Sequence, residues 1–209
     1  MEKDMFEKFA AFMDANRGKR KFMQSVDLAV NFANVDFSKQ DNRLNLEIML
    51  PNGKGRESKI MIFSDDKNIN SKALQYGAKI VPGSEIPSIT NDKARINELI
   101  HYELAAEPRL MPAIAKSLGQ FLGPRNKMPK PLVGNFDSII GSMGKLVYVR
   151  NKGKYLPTVH CVVGNEKMSN DNIAANIDEV LSAIAKKVGK QNLKSAYVKL
   201  TMSEPFRLI

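Results

Sequence analysis

The side chains most able to do chemistry in this sequence are basic and hydroxylic. Arg17-Gly18-Lys19-Arg20-Lys21 forms a cationic turn, and Phe22 follows it. Beyond it, Ser25, Asp27, Ala29 and Asn31 alternate with Val26, Leu28, Val30 and Phe32. A period of two marks a strand with one face in a core. Near the other end, Ser195, Tyr197, Lys199 and Thr201 alternate with Ala196, Val198, Leu200 and Met202, the second set facing inward. Small hydroxyls and a carboxylate on a sheet can hydrogen-bond 2′-hydroxyls and base edges. Lys19, Arg20 and Lys21 can supply phosphate contacts. An ordinary solvated sheet face shows the same alternation, so the pattern alone leaves both readings open.

Catalytic groupings fare worse. His160 and Cys161 are neighbours, but adjacent side chains of a strand point to opposite faces and cannot form a nucleophile–base dyad. Two histidines and one cysteine are too few for a typical structural zinc site. The carboxylates show no spacing that implies paired acid–base work. Pro51-Asn52-Gly53-Lys54-Gly55-Arg56 is rich in glycine and basic residues, yet it lacks the Gly-Lys-Ser/Thr ending of a phosphate-binding loop. It reads as a turn leading into another structural unit. No enzymatic activity, cofactor, metal or small-molecule substrate is therefore expected.

Composition sets the frame. The chain has 209 residues, a formal charge of +10 and a sequence pI of about 9.6. That length suits one large or two small domains, and the charge suits nucleic acid or another acidic surface. The single cysteine, Cys161, excludes an internal disulfide and fits a reducing compartment. No apolar run nears the roughly 20 residues that cross a bilayer, and the N-terminus lacks a secretory apolar segment. A cytoplasmic protein with no membrane partner is expected.

The elements that must position these residues follow from periodicity. Helical spacing covers residues 2–17, with Gly18 placed to end the helix. Strands are expected from Phe22 and over 43–50, alike enough in pattern to pair as neighbours. From Lys59 the rhythm changes. Short buried strands at 59–63, 79–81 and 102–106 alternate with helices at 70–76, 92–100 and 110–122, as in a parallel sheet. Longer strands return at 145–150 and 155–163, with a turn at Gly153 between them. A helix then runs from Ser169 or Asn170 to about Val188, and a strand covers 193–202. The ends resemble each other and the middle obeys another rule. The expected fold is α+β / α/β with two domains. A discontinuous split β-α-β antiparallel-sheet domain spans 1–60 and 154–209. An inserted three-layer Rossmann-like α/β domain spans 61–153.

Longer motifs carry a resemblance. Leu122-Gly123-Pro124-Arg125-Asn126-Lys127-Met128-Pro129-Lys130-Pro131 follows the helical run Met111–Gly119. Lys21-Phe22-x-x-Ser25-Val26, Leu50-Pro51-Asn52-Gly53-x-Gly55, His160-Cys161-Val162-Val163-Gly164, Asn176 and Thr201-Met202 are spread over the whole chain. Together they resemble the family of the first large-subunit ribosomal protein (ribosomal protein L-one), in its archaeal form. The resemblance implies a two-lobed, monomeric protein within the ribosome whose terminal lobe grips large-subunit rRNA. It also implies a place in the mobile side stalk near the tRNA exit site, help in releasing deacylated tRNA, and repression of its own messenger. Joined to the strand faces, it assigns rRNA contacts to Lys19, Arg20, Lys21, Phe22, Ser25, Asp27, His160, Gly164, Ser195, Lys199, Thr201, Met202 and Ser203. Arg125, Lys127 and Lys130 are candidates to face tRNA. A general basic nucleic-acid binder and a nucleotide-binding enzyme are the alternatives.

The sequence departs from the family pattern at four places, one of them Glu204-Pro205, where a proline and a small residue are usual. Ser203 and Asn126 stand where glycine is usual, and Gln24 stands where an acid is usual. Continued alternation also puts Phe22 on the core side, out of phase with Ser25, so a bend or bulge before Ser25 is needed for Phe22 to touch RNA.

Overall fold

The computed structural model describes residues 2–151 and 156–209. The turn expected at Gly153 and the start of the strand expected from Tyr155 lie outside the described residues.

Helix α1 (Lys3–Asn16) buries Phe9 and Met13, with Met5, Phe6 and Phe12 packed partly against the same core. Gly18, at φ 66°, turns the chain just past its end, a conformation glycine adopts without a Cβ penalty. Strand β1 (Ser25–Phe32) alternates strictly between buried and half-buried residues. Strand β2 (Asn45–Met49) buries Ile48, and Leu44 and Leu50 extend its apolar side.

The middle of the chain follows as β3 (Ile60–Phe63), α2 (Lys67–Gln75), β4 (Lys79–Val81), α3 (Ile86–Asn91), α4 (Lys93–Leu99), β5 (Glu103–Ala106), α5 (Met111–Leu122), β6 (Lys130–Pro131) and α6 (Phe136–Met143). The side chains of Asp66, Asp92 and Asn135 accept from the first free amides of α2, α4 and α6, satisfying donors that a helix start leaves open. The last part holds β7 (Leu146–Arg150), β8 (Thr158–Asn165), α7 (Asn170–Val188), β9 (Leu193–Leu200) and β10 (Phe206–Arg207). Ser169 caps α7 by accepting from Asn172 N.

These elements divide into two compact units, Met1–Arg56 with Lys145–Ile209, and Glu57–Gly144. In the first, one sheet has the order β10-β9-β1-β8. Strand β1 is antiparallel to both β8 and β9, so β8 and β9 run parallel with α7 as their crossover and β1 between them. The core face joins Val26, Leu28 and Val30 to Val159, Cys161, Val163, Ala196, Val198 and Leu200. Ile173, Ile177, Val180 and Ile184 of α7 complete it, and each such side chain contributes about 1.5–3 kcal/mol on burial.

Strand β2 does not pair with β1. It pairs antiparallel with β7 in a separate two-stranded sheet. Similar alternation gives two strands a common inward face but does not choose their neighbours, and both edges of β1 are taken by β8 and β9. The same pairing draws residues 145–150 to the terminal segments, so the boundaries fall at 56/57 and 144/145 rather than at 60/61 and 153/154.

In the second unit all neighbours are parallel, in the order β4-β3-β5-β6. Met61, Phe63, Leu104 and Ala106 pack with residues of α3, α4 and α5. Ile62 and Ala105 pack the other way, with residues of α2 and α6. This sheet is therefore the middle of three layers.

Candidate nucleic-acid interface

The first 25 residues reach the sheet through an anchored loop. Lys19, Arg20 and Lys21 are exposed, and Phe22 is 46% exposed. Phe22 therefore does not enter the core as continued alternation predicts. The strand begins only at Ser25, and Gln24 occupies the inward place, 2% exposed. The reason lies in Glu166, between β8 and α7. Its carboxylate accepts from Gln24 N at 2.9 Å and from Gly18 N at 3.3 Å, so these amides serve a side chain rather than a ladder. Those two bonds and Gln24's side-chain amide hold the Glu166 carboxyl below the usual carboxylate range. Arg17 fastens the same corner by donating to Met168 O at 2.9 Å and to Asn170 Oδ1.

Register then lays out the face opposite the core. Ser25 and Thr201 meet: Ser25 N donates to Thr201 Oγ1 at 3.0 Å, and Thr201 N donates to Ser25 O at 3.1 Å. Asp27 stands between Val162 and Lys199, and Ala29 between His160 and Tyr197. Between Val26 and Asp27 the pairing with β8 slips through a bulge, which raises local twist. Asp27 is half-buried; desolvation pushes its carboxyl up, against the charges of Lys199, His160 and Arg56. His160 is exposed, and Cys161 on the opposite face is buried, its thiol pushed up to about 12 by desolvation.

Past Leu200 the strand ends, so Met202 turns outward, 59% exposed, and not inward as alternation predicts. Ser203 closes this turn: Leu200 N donates to Ser203 Oγ at 2.9 Å, and Ser203 N donates to Leu200 O at 3.2 Å. Ser203 is not among the residues with positive φ. Serine therefore takes the place of the family's glycine without backbone strain. Asn126 does adopt positive φ, 56°, a region in which asparagine is the best-tolerated residue after glycine.

Two expected contact residues sit elsewhere. Ser195 is 8% exposed and accepts from Asn31 Nδ2 at 2.9 Å, while Thr158 Oγ1 donates to Asn31 Oδ1 at 2.8 Å. These three side chains satisfy one another at the end where Phe32 N and Ala33 N bond to the segments entering β8 and β9. Gly164 is buried, and a Cβ there would meet Met168 Sδ at 3.0 Å and Ile173 Cγ1 at 3.3 Å. Its missing side chain makes room for packing, not for a ligand. In the other unit, Lys127 Nζ is held by Tyr102 O at 3.1 Å and Glu103 Oε1 at 3.5 Å. Arg125 is exposed with one guanidinium nitrogen on Phe121 O, and Lys130 lies half-buried on β6.

Sequence reasoning missed three parts of the interface. Gln24 and Glu166 carry no periodic signal. Arg56 had one, the basic glycine turn, but its place was not legible: its guanidinium donates to Met23 O at 2.9 Å and its charge acts on Asp27. Asn176, fully buried, fixes that turn by accepting from Asn52 N and donating to Gly53 O and Val163 O. Among the described residues, no group of histidine, cysteine or carboxylate side chains is placed to hold a metal ion, and no helix is long and apolar enough to cross a membrane.

The chain is similar to known proteins. Residues 12–204 match the model of the "Ribosomal protein L1p/L10e family". The chain is 39% identical over 190 residues to the large ribosomal subunit protein uL1 of Pyrococcus abyssi, covering 88% of this chain and 85% of that one. It is 39% identical over 190 residues to that of Thermoplasma acidophilum, covering 88% and 86%. To that of Methanothermococcus thermolithotrophicus it is 34% identical over 195 residues, covering 90% of each.

Proposed function

We propose that this chain, which belongs to the ribosomal protein L1p/L10e family in its archaeal form, is a structural, non-enzymatic constituent of the large ribosomal subunit in the cytoplasm. Its task is to bind large-subunit rRNA. The observation that carries the binding site is the meeting of Ser25 and Thr201, 176 residues apart in the chain and hydrogen-bonded at 3.0 Å. They lie on a sheet face flanked by the exposed Lys19, Arg20 and Lys21. Backbone and hydroxyl groups there read RNA shape and 2′-hydroxyls, while the cations take phosphates. Asp27, His160, Lys199, Met202 and Arg56 surround that centre. Phe22, exposed at the loop, offers a ring for an unstacked base.

In this setting the protein forms the mobile side stalk beside the exit-site tRNA and helps deacylated tRNA leave. Binding of the same surface to its own messenger represses translation. Arg125, Lys127 and Lys130 of the middle unit face tRNA.

The direct test is co-sedimentation with large subunits, followed by release at high salt. Affinity for a structured rRNA fragment should fall with salt at a log–log slope of about −0.9 per neutralised duplex phosphate. Duplex DNA competing as well as rRNA would instead identify a general basic binder, a role the net charge of +10 also suits.

A further inference from the structure

We propose that Gln24 and Glu166 act as one positioning pair. Together they set the basic loop and the 200–203 turn at fixed places on the RNA face. The pair works only with the amide at 24 and the carboxylate at 166. This rests on the rRNA-binding function proposed above and goes beyond it in naming what aligns the site.

The geometry is directional. Both ends of the loop bearing Lys19, Arg20, Lys21 and Phe22 are tied to one carboxylate, through Gly18 N at 3.3 Å and Gln24 N at 2.9 Å. A third donor, Gln24 Nε2, reaches the same carboxylate at 3.2 Å. A carboxylate accepts from all three; a glutamine at 166 would turn one acceptor into a donor. Gln24 is the complement. Its Nε2 also donates to Asn16 O at 3.3 Å, and its Oε1 accepts from Met202 N at 3.1 Å. Its backbone oxygen accepts from Glu166 N at 3.0 Å. One side chain, 2% exposed, thus joins the end of α1, the turn before α7 and the turn after β9. A glutamate at 24 would keep the bond to Met202 N but face the Asn16 carbonyl and the Glu166 carboxylate with no hydrogen to offer. The charge of Arg17 acts on Glu166, and its guanidinium also lies 3.7 Å from the Asp14 carboxylate, so a further carboxylate at 24 would add to negative charge that Arg17 already faces.

The test uses the full chain, with large-subunit rRNA as the probe, and measures affinity over a salt series alongside thermal unfolding. Gln24→Glu is expected to weaken binding by about tenfold or more, the effect of an unpaired buried group. Its salt slope should be shallower by about one phosphate contact, because the loop no longer presents its cations in register. Mere loss of folded protein would lower apparent affinity and leave the slope alone. The exchange Gln24→Glu with Glu166→Gln restores the one amide–carboxylate bond between the two side chains but leaves Gly18 N and Asn16 O without their partners, so it is expected to recover only a small part of the affinity and slope lost by Gln24→Glu. If Gln24→Glu does not fold, Glu166→Gln carries the test, with a shallower slope expected. Wild-type slope in either single variant, or an exchange that restores wild-type affinity and slope, overturns the pair. Failure of the wild-type chain to bind rRNA overturns the proposed function itself and is told apart by that control.

Discussion

The two four-stranded sheets of this protein solve burial in opposite ways. The parallel sheet of the middle unit is covered on both faces, so consecutive residues Met61, Ile62 and Phe63 are all buried. The antiparallel sheet of the terminal unit covers one face, and β1 alternates buried with half-buried residues along its length. This is the general difference between parallel and antiparallel sheets, and here it decides where function can sit. A doubly covered sheet has only its loops and ends to offer. A singly covered one can present backbone, hydroxyls and cations along whole strands, as a long irregular partner such as folded RNA requires.

The largest expected effects break or sharpen that contrast through stability. Phe63→Ala and Ile62→Ala should each cost about 2–5 kcal/mol, although the residues are adjacent, whereas of the adjacent pair Asp27 and Leu28 in β1, Leu28→Ala should cost that much and Asp27→Asn should not. Chemical denaturation measures all four, and a low cost at Ile62 would remove the double covering. Next, Asn176→Leu should cost about 1–3 kcal/mol, because backbone groups on Asn52, Gly53 and Val163, the last two buried, lose their partner. The same experiment reads it.

Smaller effects belong to the open face. Thr201→Val should weaken rRNA binding by about 1–2 kcal/mol, the scale of one lost hydrogen-bonding hydroxyl; a binding titration showing wild-type affinity would move the site away from the Ser25–Thr201 junction. The smallest effect is pH-dependent and opposite in sign at two carboxylates. Burial raises the Asp27 pKa above its ordinary 3.8, so its stabilising contribution is full below 3.8 and is lost as pH rises through the raised value. Hydrogen bonding lowers the Glu166 pKa below its ordinary 4.5, so its contribution is present above 4.5 and fades as pH falls through the lowered value. Melting temperatures of Asp27→Asn and Glu166→Gln, compared with wild type across acid pH, should diverge in these opposite directions.

Much of this fold could be read from the sequence because long periodic segments specify themselves. The stripe from Ile173 to Ile184 fixes α7, and alternation fixes the faces of β1 and β9. Three things could not be read this way. The partner of β2 depends on which edges other strands leave free. Helices α3 and α6 are too short, at 6 and 8 residues, to show a clear stripe. At the interface, hydroxyls and cations were visible as a pattern, but the burial of Ser195 and Gly164 depends on what packs over them. Gln24 shows the limit best: the sequence marks it only as a departure from the family's usual acid, and its role exists only once Asn16, Glu166 and Met202 converge.

The central place of β1 has a further consequence for biosynthesis. Its partners, β8 and β9, leave the ribosome only after every strand of the middle unit. The N-terminal piece must therefore wait with both hydrogen-bonding edges of β1 unpaired while the intervening chain closes a long loop. High contact order of this kind slows folding. A nascent chain halted before Thr158 is expected to resist protease over 57–144 while its first 56 residues remain cleavable.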